Sequence, residues 1–161
     1  MDRDGAINED REDYVKSWDE FRFIRGAKQA LKQFNQAGVL IVVITNQSVI
    51  GQGLVTEDEL FVIHERMTMA VEKARGLIQK IYYCLHHPDE RCRCRKLRIG
   101  LLEKAGKEMG LDLKESVFVG DSFKDIQAGK RAGCRTLQVQ TGRGKETIKK
   151  ILSGKTSILY S

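Results

Sequence analysis

Two carboxylates, Asp2 and Asp4, flank Arg3 and are followed by Gly5. In an extended or turning segment, residues i and i+2 face the same way. Asp2 and Asp4 can therefore address one site, and Gly5 permits a sharp turn beyond them. Two carboxyl groups in one pocket can be driven to different roles by their surroundings. One, held ionised by a metal, can attack; the other can carry a proton and donate it. Such a tetrapeptide alone reads as no more than an acidic terminus, but here it has companions. Asp121 follows Gly120 at the end of an apolar run, an unusual place for a carboxylate unless it has a cation or caps a helix. Asp125 comes one helical turn later. Asp2, Asp4 and Asp121 together would make an oxygen-rich site suited to Mg²⁺. Thr45 and Asn46 add neutral donors for a phosphoryl oxygen. Lys96 adds a point positive charge, and Arg95 a fork that can grip an anion through two bonds.

A second constellation spans 84–96. Cys84, His86, Cys92 and Cys94 are spaced C-x-H-x₅-C-x-C. Three thiolates and an imidazole suit a closed, structural Zn²⁺ site. Such a site would hold a loop too polar to pack alone, and would present Arg95 and Lys96 directly after the last ligand. His87 is an alternative to His86, and Cys134 is expected only to pack.

The elements that must position these residues follow from periodicity. A polar stretch with scattered aromatics at 10–23 reads as a loop or flap. A helix is predicted over 26–38, with Ala27, Ala30, Leu31, Phe34 and Ala37 on one face. The β-branched run 39–44 is predicted to be a buried strand running into Thr45, Asn46, Gln47 and Ser48. Open parallel sheets bind ligands at such strand ends. Thr56 and Glu59 form a capping box that opens a long helix with a Leu60, Ile63, Met67, Val71, Ala74 stripe. Further strands are predicted at 78–84, 116–119, 135–140 and 157–160, with helices at 98–109, 123–132 and 146–152. Strands alternating with helices indicate a parallel α/β sheet covered on both faces.

Order and spacing of Asp2-Arg3-Asp4-Gly5, Thr45-Asn46-Gln47-Ser48, Arg95-Lys96 and Gly120-Asp121-Ser122-Phe123-Lys124-Asp125 resemble the four motifs of the haloacid dehalogenase (HAD) superfamily of phosphatases. With the cysteine cluster, and with Phe21-Arg22-Phe23-Ile24-Arg25-Gly26 and Tyr82-Tyr83-Cys84, the chain looks like the branch acting on heptose bisphosphate and histidinol phosphate. One departure is Leu97, where that branch usually has proline. The resemblance implies a three-layer HAD-like α/β fold in a single domain, 1–161, with a zinc loop at 84–96 and no large cap domain.

It also implies roles. Asp2 would be the nucleophile that forms an aspartyl-phosphate, Asp4 the general acid and base, and Thr45 and Lys96 stabilisers of the transferring group. Mg²⁺ would be held by Asp2, the Asp4 carbonyl and Asp121. Arg3, Asn46, Gln47, Ser48, Arg95, Ser122 and the 10–14 flap would contact substrate. Heptose 1,7-bisphosphate is the expected substrate and histidinol phosphate the alternative. A polynucleotide 3′-phosphatase and an inactive zinc-stabilised binding module are the more distant readings. In the family a central strand precedes the nucleophile, whereas here only Met1 does. The expectation is that several apolar residues belong upstream, and that Asp2 otherwise sits on a frayed end beside exposed strand edges.

Composition narrows the class without deciding it. The chain has 161 residues, 41% hydrophobic and 31% charged, with a net charge of +6. No apolar run approaches the ~20 residues that span a bilayer, and the polar start does not read as a secretory signal. The expectation is a cytoplasmic, monomeric enzyme of carbohydrate metabolism. The positive charge suits small anionic substrates; no aromatic-interleaved basic motif points to nucleic acid.

Overall fold

The computed structural model describes residues 1–153; the strand expected at 157–160 lies outside them. Strand β1 (Val42–Asn46) pairs in parallel with β2 (Lys80–Cys84), and β3 (Val117–Gly120) pairs in parallel with β4 (Arg135–Gln138). The registers set Asn46 beside Cys84 and Gly120 beside Gln138, so the carboxyl ends within each pair are level.

Met1 and Asp2 form the seam between the two pairs. The Met1 ammonium donates to the Val42 carbonyl (2.7 Å), and the Ile44 amide donates to the Met1 carbonyl (2.8 Å). These are the slanted bonds of a parallel ladder. On the other side the Asp2 amide donates to the Val119 carbonyl (2.8 Å). Met1 is thus tied to one half of the sheet and Asp2 to the other, so Asp2 is not frayed, a correction to the sequence expectation. The cause is backbone pairing of Met1 with β1 and of Asp2 with β3.

Among the described residues there are five α-helices: α1 (Ala27–Gln36) and α2 (Glu57–Lys73) pack on one face of the sheet, α3 (Gly100–Met109) and α4 (Phe123–Arg131) on the other, and α5 (Gly144–Leu152) lines the cleft. Successive strand side chains point to opposite faces, and β1 shows the result. Val43 packs with Leu31, Ile63, Met67 and Val71, while its neighbour Ile44 packs with Tyr82, Leu101, Leu102 and Phe118. Two cores on one strand explain why its sequence is continuously apolar rather than alternating. The run does not begin where the sequence suggested. Val39 and Leu40 are 48% and 57% exposed, and pairing starts at Val42. Burial on α1 ends at Leu31, leaving Phe34 and Ala37 on the solvent side.

The Thr56–Glu59 capping box forms as read. The Glu59 amide donates to Thr56 Oγ1 (3.2 Å), and the Thr56 amide donates to Glu59 Oε2 (2.8 Å). A cap of this kind contributes about 1 kcal/mol. Among the described residues, no helix is long and apolar enough to cross a membrane.

Candidate active site

The carboxyl ends of β1 and β3, the seam between them and the loops beyond open onto a cleft of about 810 Å³. Asp2 sits at its floor. Its Oδ1 accepts the Arg3 amide (2.7 Å) and faces Lys96 Nζ (2.7 Å), so the carboxylate has one orientation. Lys96 is buried, and its ammonium also meets Asp125 Oδ1 (2.7 Å) and donates to the Ile44 carbonyl (2.9 Å). Asn46 holds the lysine's backbone at two points, donating to its carbonyl (3.1 Å) and accepting from its amide (3.0 Å). That double bond across fifty positions fixes where the ammonium enters the site.

Asp4 has its own set of partners. Arg3 donates to Asp4 Oδ1 from Nε (3.2 Å) and Nη2 (2.9 Å), Asn8 Nδ2 donates to the same oxygen (2.8 Å), and Gln47 Nε2 donates to Oδ2 (2.8 Å). Gln47 also donates to Thr45 Oγ1 (2.9 Å), which leaves the hydroxyl proton available to an incoming oxygen. Arg3 is 1% exposed, and its Nη1 lies 3.2 Å from Nε2 of His64 in α2. Burial and the Arg3 charge drive that histidine's pKa down to about 3, so the ring is neutral and can accept.

These contacts redistribute the tasks expected from sequence. Arg3 and Asn46 spend their polar groups on Asp4 and Lys96. Ser122 caps α4, accepting from the Asp125 amide (3.4 Å) and donating to Asp125 Oδ2 (2.5 Å). Ser48 is buried with Gln52 Nε2 at 3.4 Å. Arg95 lines the cleft, and its buried Nη1 has no hydrogen-bond partner among the described residues. Lys124 and Arg143 join it there. Burial, then the Arg95 and Arg143 charges, push the Lys124 pKa down.

The carboxylates brought together are Asp2, Asp121 and Asp125, with ligand oxygens within 4.8 Å of one another. An all-oxygen trio of this kind fits Mg²⁺ completed by water. The Asp4 side chain stands outside the trio, because Arg3, Asn8 and Gln47 claim it. Asp125 joins Asp2 and Asp121 from the first turn of α4, with Oδ1 facing Lys96 and Oδ2 accepting from Ser122, and the Asp4 carbonyl expected as a ligand is a separate backbone donor. Gly5, at φ +78°, lets the chain turn against Asp121; a Cβ there would collide with that carboxylate.

The electrostatics reverse the simple assignment. Burial pushes Asp2 up to about 7, with Lys96 opposing it and Asp125 and Asp4 adding to it. Burial likewise lifts Asp121 to about 6. Burial would raise Asp4 too, but the Arg3 charge and three sets of hydrogen bonds outweigh it and hold the group below the usual range. Before a cation and substrate arrive, Asp2 therefore tends to hold a proton and Asp4 to lack one. Magnesium affinity should consequently rise with pH through the interval from about 6 to about 7, each ion displacing protons as it binds. Titration calorimetry in two buffers of different ionisation heat at about pH 6.5 should show net proton release. A buffer-independent heat would contradict it.

Away from the floor, Cys84, His86, Cys92 and Cys94 converge as predicted. Their sulfurs lie 3.2–3.5 Å apart, and His86 Nδ1 is 3.1 Å from Cys94 Sγ and 3.6 Å from Cys84 Sγ. Tetrahedral thiolates at zinc distance would be separated by about 3.7 Å, so the cluster could hold zinc with small outward shifts. His87 instead caps the short 3₁₀ turn Pro88–Glu90, and Cys134 packs in the core. The Cys84 carbonyl accepts the Gln47 amide (2.7 Å), tying the loop to the strand end. Cys92→Ser should lower both zinc content and thermal stability, and slow turnover by loosening Lys96. Metal analysis, a melting curve and a rate on the same preparation check this; full activity without zinc would uncouple loop from site.

A parallel α/β sheet with a seam aspartate, a carboxylate trio, and a threonine and lysine at strand ends is the arrangement of a HAD-type phosphatase. The HAD-hydrolase-like family model matches residues 93–157. The D-glycero-beta-D-manno-heptose-1,7-bisphosphate 7-phosphatase of Pseudomonas aeruginosa is 39% identical over 158 residues, covering 98% of this chain and 89% of that protein. The corresponding protein of Bordetella bronchiseptica is 38% identical, covering 92% and 83%. The crystal structure of D,D-heptose 1,7-bisphosphate phosphatase from B. bronchiseptica, complexed with magnesium and phosphate, matches with a TM-score of 0.90 over 92% of this chain and 83% of its own. The chain belongs to the heptose-1,7-bisphosphate 7-phosphatase family of HAD hydrolases.

Proposed function

We propose that this protein removes the 7-phosphate of D-glycero-β-D-manno-heptose 1,7-bisphosphate. The observation that carries the reading is the placing of Asp2. It is held in one orientation by Lys96, beside Asp121 and Asp125, at the floor of a cleft whose rim carries Arg95, Lys124 and Arg143. The named relatives support the choice of substrate.

Asp2 attacks phosphorus, and the sugar alkoxide leaves as an aspartyl-phosphate forms. Thr45 and Lys96 offset charge on the transferring oxygens. Asp4 protonates the leaving oxygen and then takes a proton from the hydrolytic water. Asp4 must gain its proton as substrate binds, and the arriving phosphate charge favours that by opposing Arg3. Asp2, Asp121 and Asp125 would hold Mg²⁺, which would supply positive charge that favours the ionised form of Asp2. Arg95 and Lys124 receive the part of the substrate that is not transferred. The proposal includes a single-domain monomer working in the cytoplasm.

The test is phosphate release from heptose 1,7-bisphosphate and from histidinol phosphate, each with Mg²⁺. Preference for the heptose is expected. Preference for histidinol phosphate would move the chain to the sister activity, and inactivity on both would remove the substrate assignment.

A further inference from the structure

Three consecutive residues after β4 had no part in the chemistry read from the sequence, yet each touches the site. Thr141 Oγ1 donates to the Gly5 carbonyl (2.6 Å), inside the turn that carries Asp2 and Asp4. Gly142, at φ +53°, passes so close that a Cβ would lie 2.6 Å from Gly5 Cα and collide with the Asp121 carboxylate. The Arg143 amide donates to Asp121 Oδ2 (2.7 Å), and its Nε donates to Asp10 Oδ2 (2.7 Å) in the flap. One short loop thus grips the acidic turn, a carboxylate of the trio and the flap.

We infer that residues 141–143 are positioning residues for the metal carboxylates and for the flap. The Thr141 hydroxyl sets the separation between the Gly5 turn and the end of β4. Gly142 allows the approach that brings Asp121 against that turn. The Arg143 amide occupies Asp121 Oδ2 and so turns Oδ1 toward the trio, while the Arg143 guanidinium holds Asp10 over the cleft mouth. Backbone and side chain of one residue therefore serve two purposes, and substitutions can separate them.

The inference rests on the reading of Asp121 as a metal ligand, so its test starts with the metal alone. Mn²⁺ binding, followed by electron paramagnetic resonance without substrate, should weaken about 10- to 100-fold in Thr141→Val and Gly142→Ala, the usual cost of losing a group that orients a ligand. Thr141→Ser keeps the hydroxyl and should restore wild-type affinity. Arg143→Ala keeps the amide and should bind Mn²⁺ normally, but raise KM for the phosphorylated substrate with little change in kcat.

Thr141→Val binding Mn²⁺ as tightly as wild type would overturn the metal half of the inference. An unchanged KM in Arg143→Ala would overturn the flap half. Wild-type protein that binds no Mn²⁺ would instead remove the metal-ligand reading of Asp121 itself. Should Gly142→Ala fail to fold, the Thr141→Val and Thr141→Ser pair still decides.

Discussion

Asp2→Asn is expected to lower phosphate release by a factor on the order of 10⁴ or more, the scale seen when a covalent nucleophile is removed. It should do so without unfolding the protein, because the amide keeps the carboxylate's shape and Lys96 retains Asp125. The stability change has a definite sign. The folded-state pKa of Asp2 is about 7, above its ordinary value of 3.8. The folded protein therefore holds this proton more tightly than the unfolded chain does. The resulting stabilisation is complete below about 3.8 and is lost as pH rises through about 7. Above that, wild type carries the cost of a buried ionised carboxylate, which asparagine lacks. Without divalent cation at about pH 8, the variant should melt at or above the wild-type temperature. A lower melting temperature there would mean that the Asp2–Lys96 attraction outweighs the burial cost.

Lys96→Met is expected to damage both activity and fold. The ammonium lies 2.7 Å from an oxygen of Asp2 and of Asp125, and Asp125 is fully buried. Burial lowers the pKa of this lysine, but the two carboxylates more than reverse that, so it stays charged. Its loss leaves two carboxylates facing each other without a counter-charge. Breaking a buried ion pair from one side costs about 3–5 kcal/mol, equivalent to a fall of roughly 10 °C in melting temperature for a chain of this size. The rate should fall by about 10²–10³, as when one donor to the transferring group is removed. The stability loss should shrink toward about pH 5, where the stranded carboxylates can protonate instead. Arginine is no substitute, because its wide planar fork does not fit where a compact ammonium touches three oxygens. Melting curves of the two proteins at both pH values check the claim; equal losses at each would contradict it.

Much of this site could be read along the chain because each contributing strand announces its end. The apolar run before Thr45 and the one before Gly120-Asp121 each stop at polar residues, and that is where a covered parallel sheet opens to solvent. The cysteine spacing was equally local. Three things were not legible. A continuous apolar run does not reveal where pairing starts: it includes Val39 and Leu40, which lie exposed ahead of β1. Arg3 lies between two site carboxylates in sequence, but its assignment depends on His64, 61 positions away. Asn46 ends a strand as a ligand-binding residue would, yet its partner is the backbone of Lys96. The loop at 141–143 did carry a signal. It follows a strand, as the other site segments do, and it contains the glycine that such close approach requires.

The short span from Cys94 to Lys96 has a thermodynamic consequence. One end belongs to the thiolate cluster, and the other reaches Asp2 and Asp125 through the Lys96 ammonium. A shift that zinc imposed on this two-residue bridge would be passed to the Asp2 and Asp125 carboxylates, and the two occupancies would then be linked. Whatever factor zinc contributes to the magnesium binding constant, magnesium must return to zinc. Positive coupling of this kind would be read as weaker Mg²⁺ binding by zinc-depleted protein, although the two ions share no ligand.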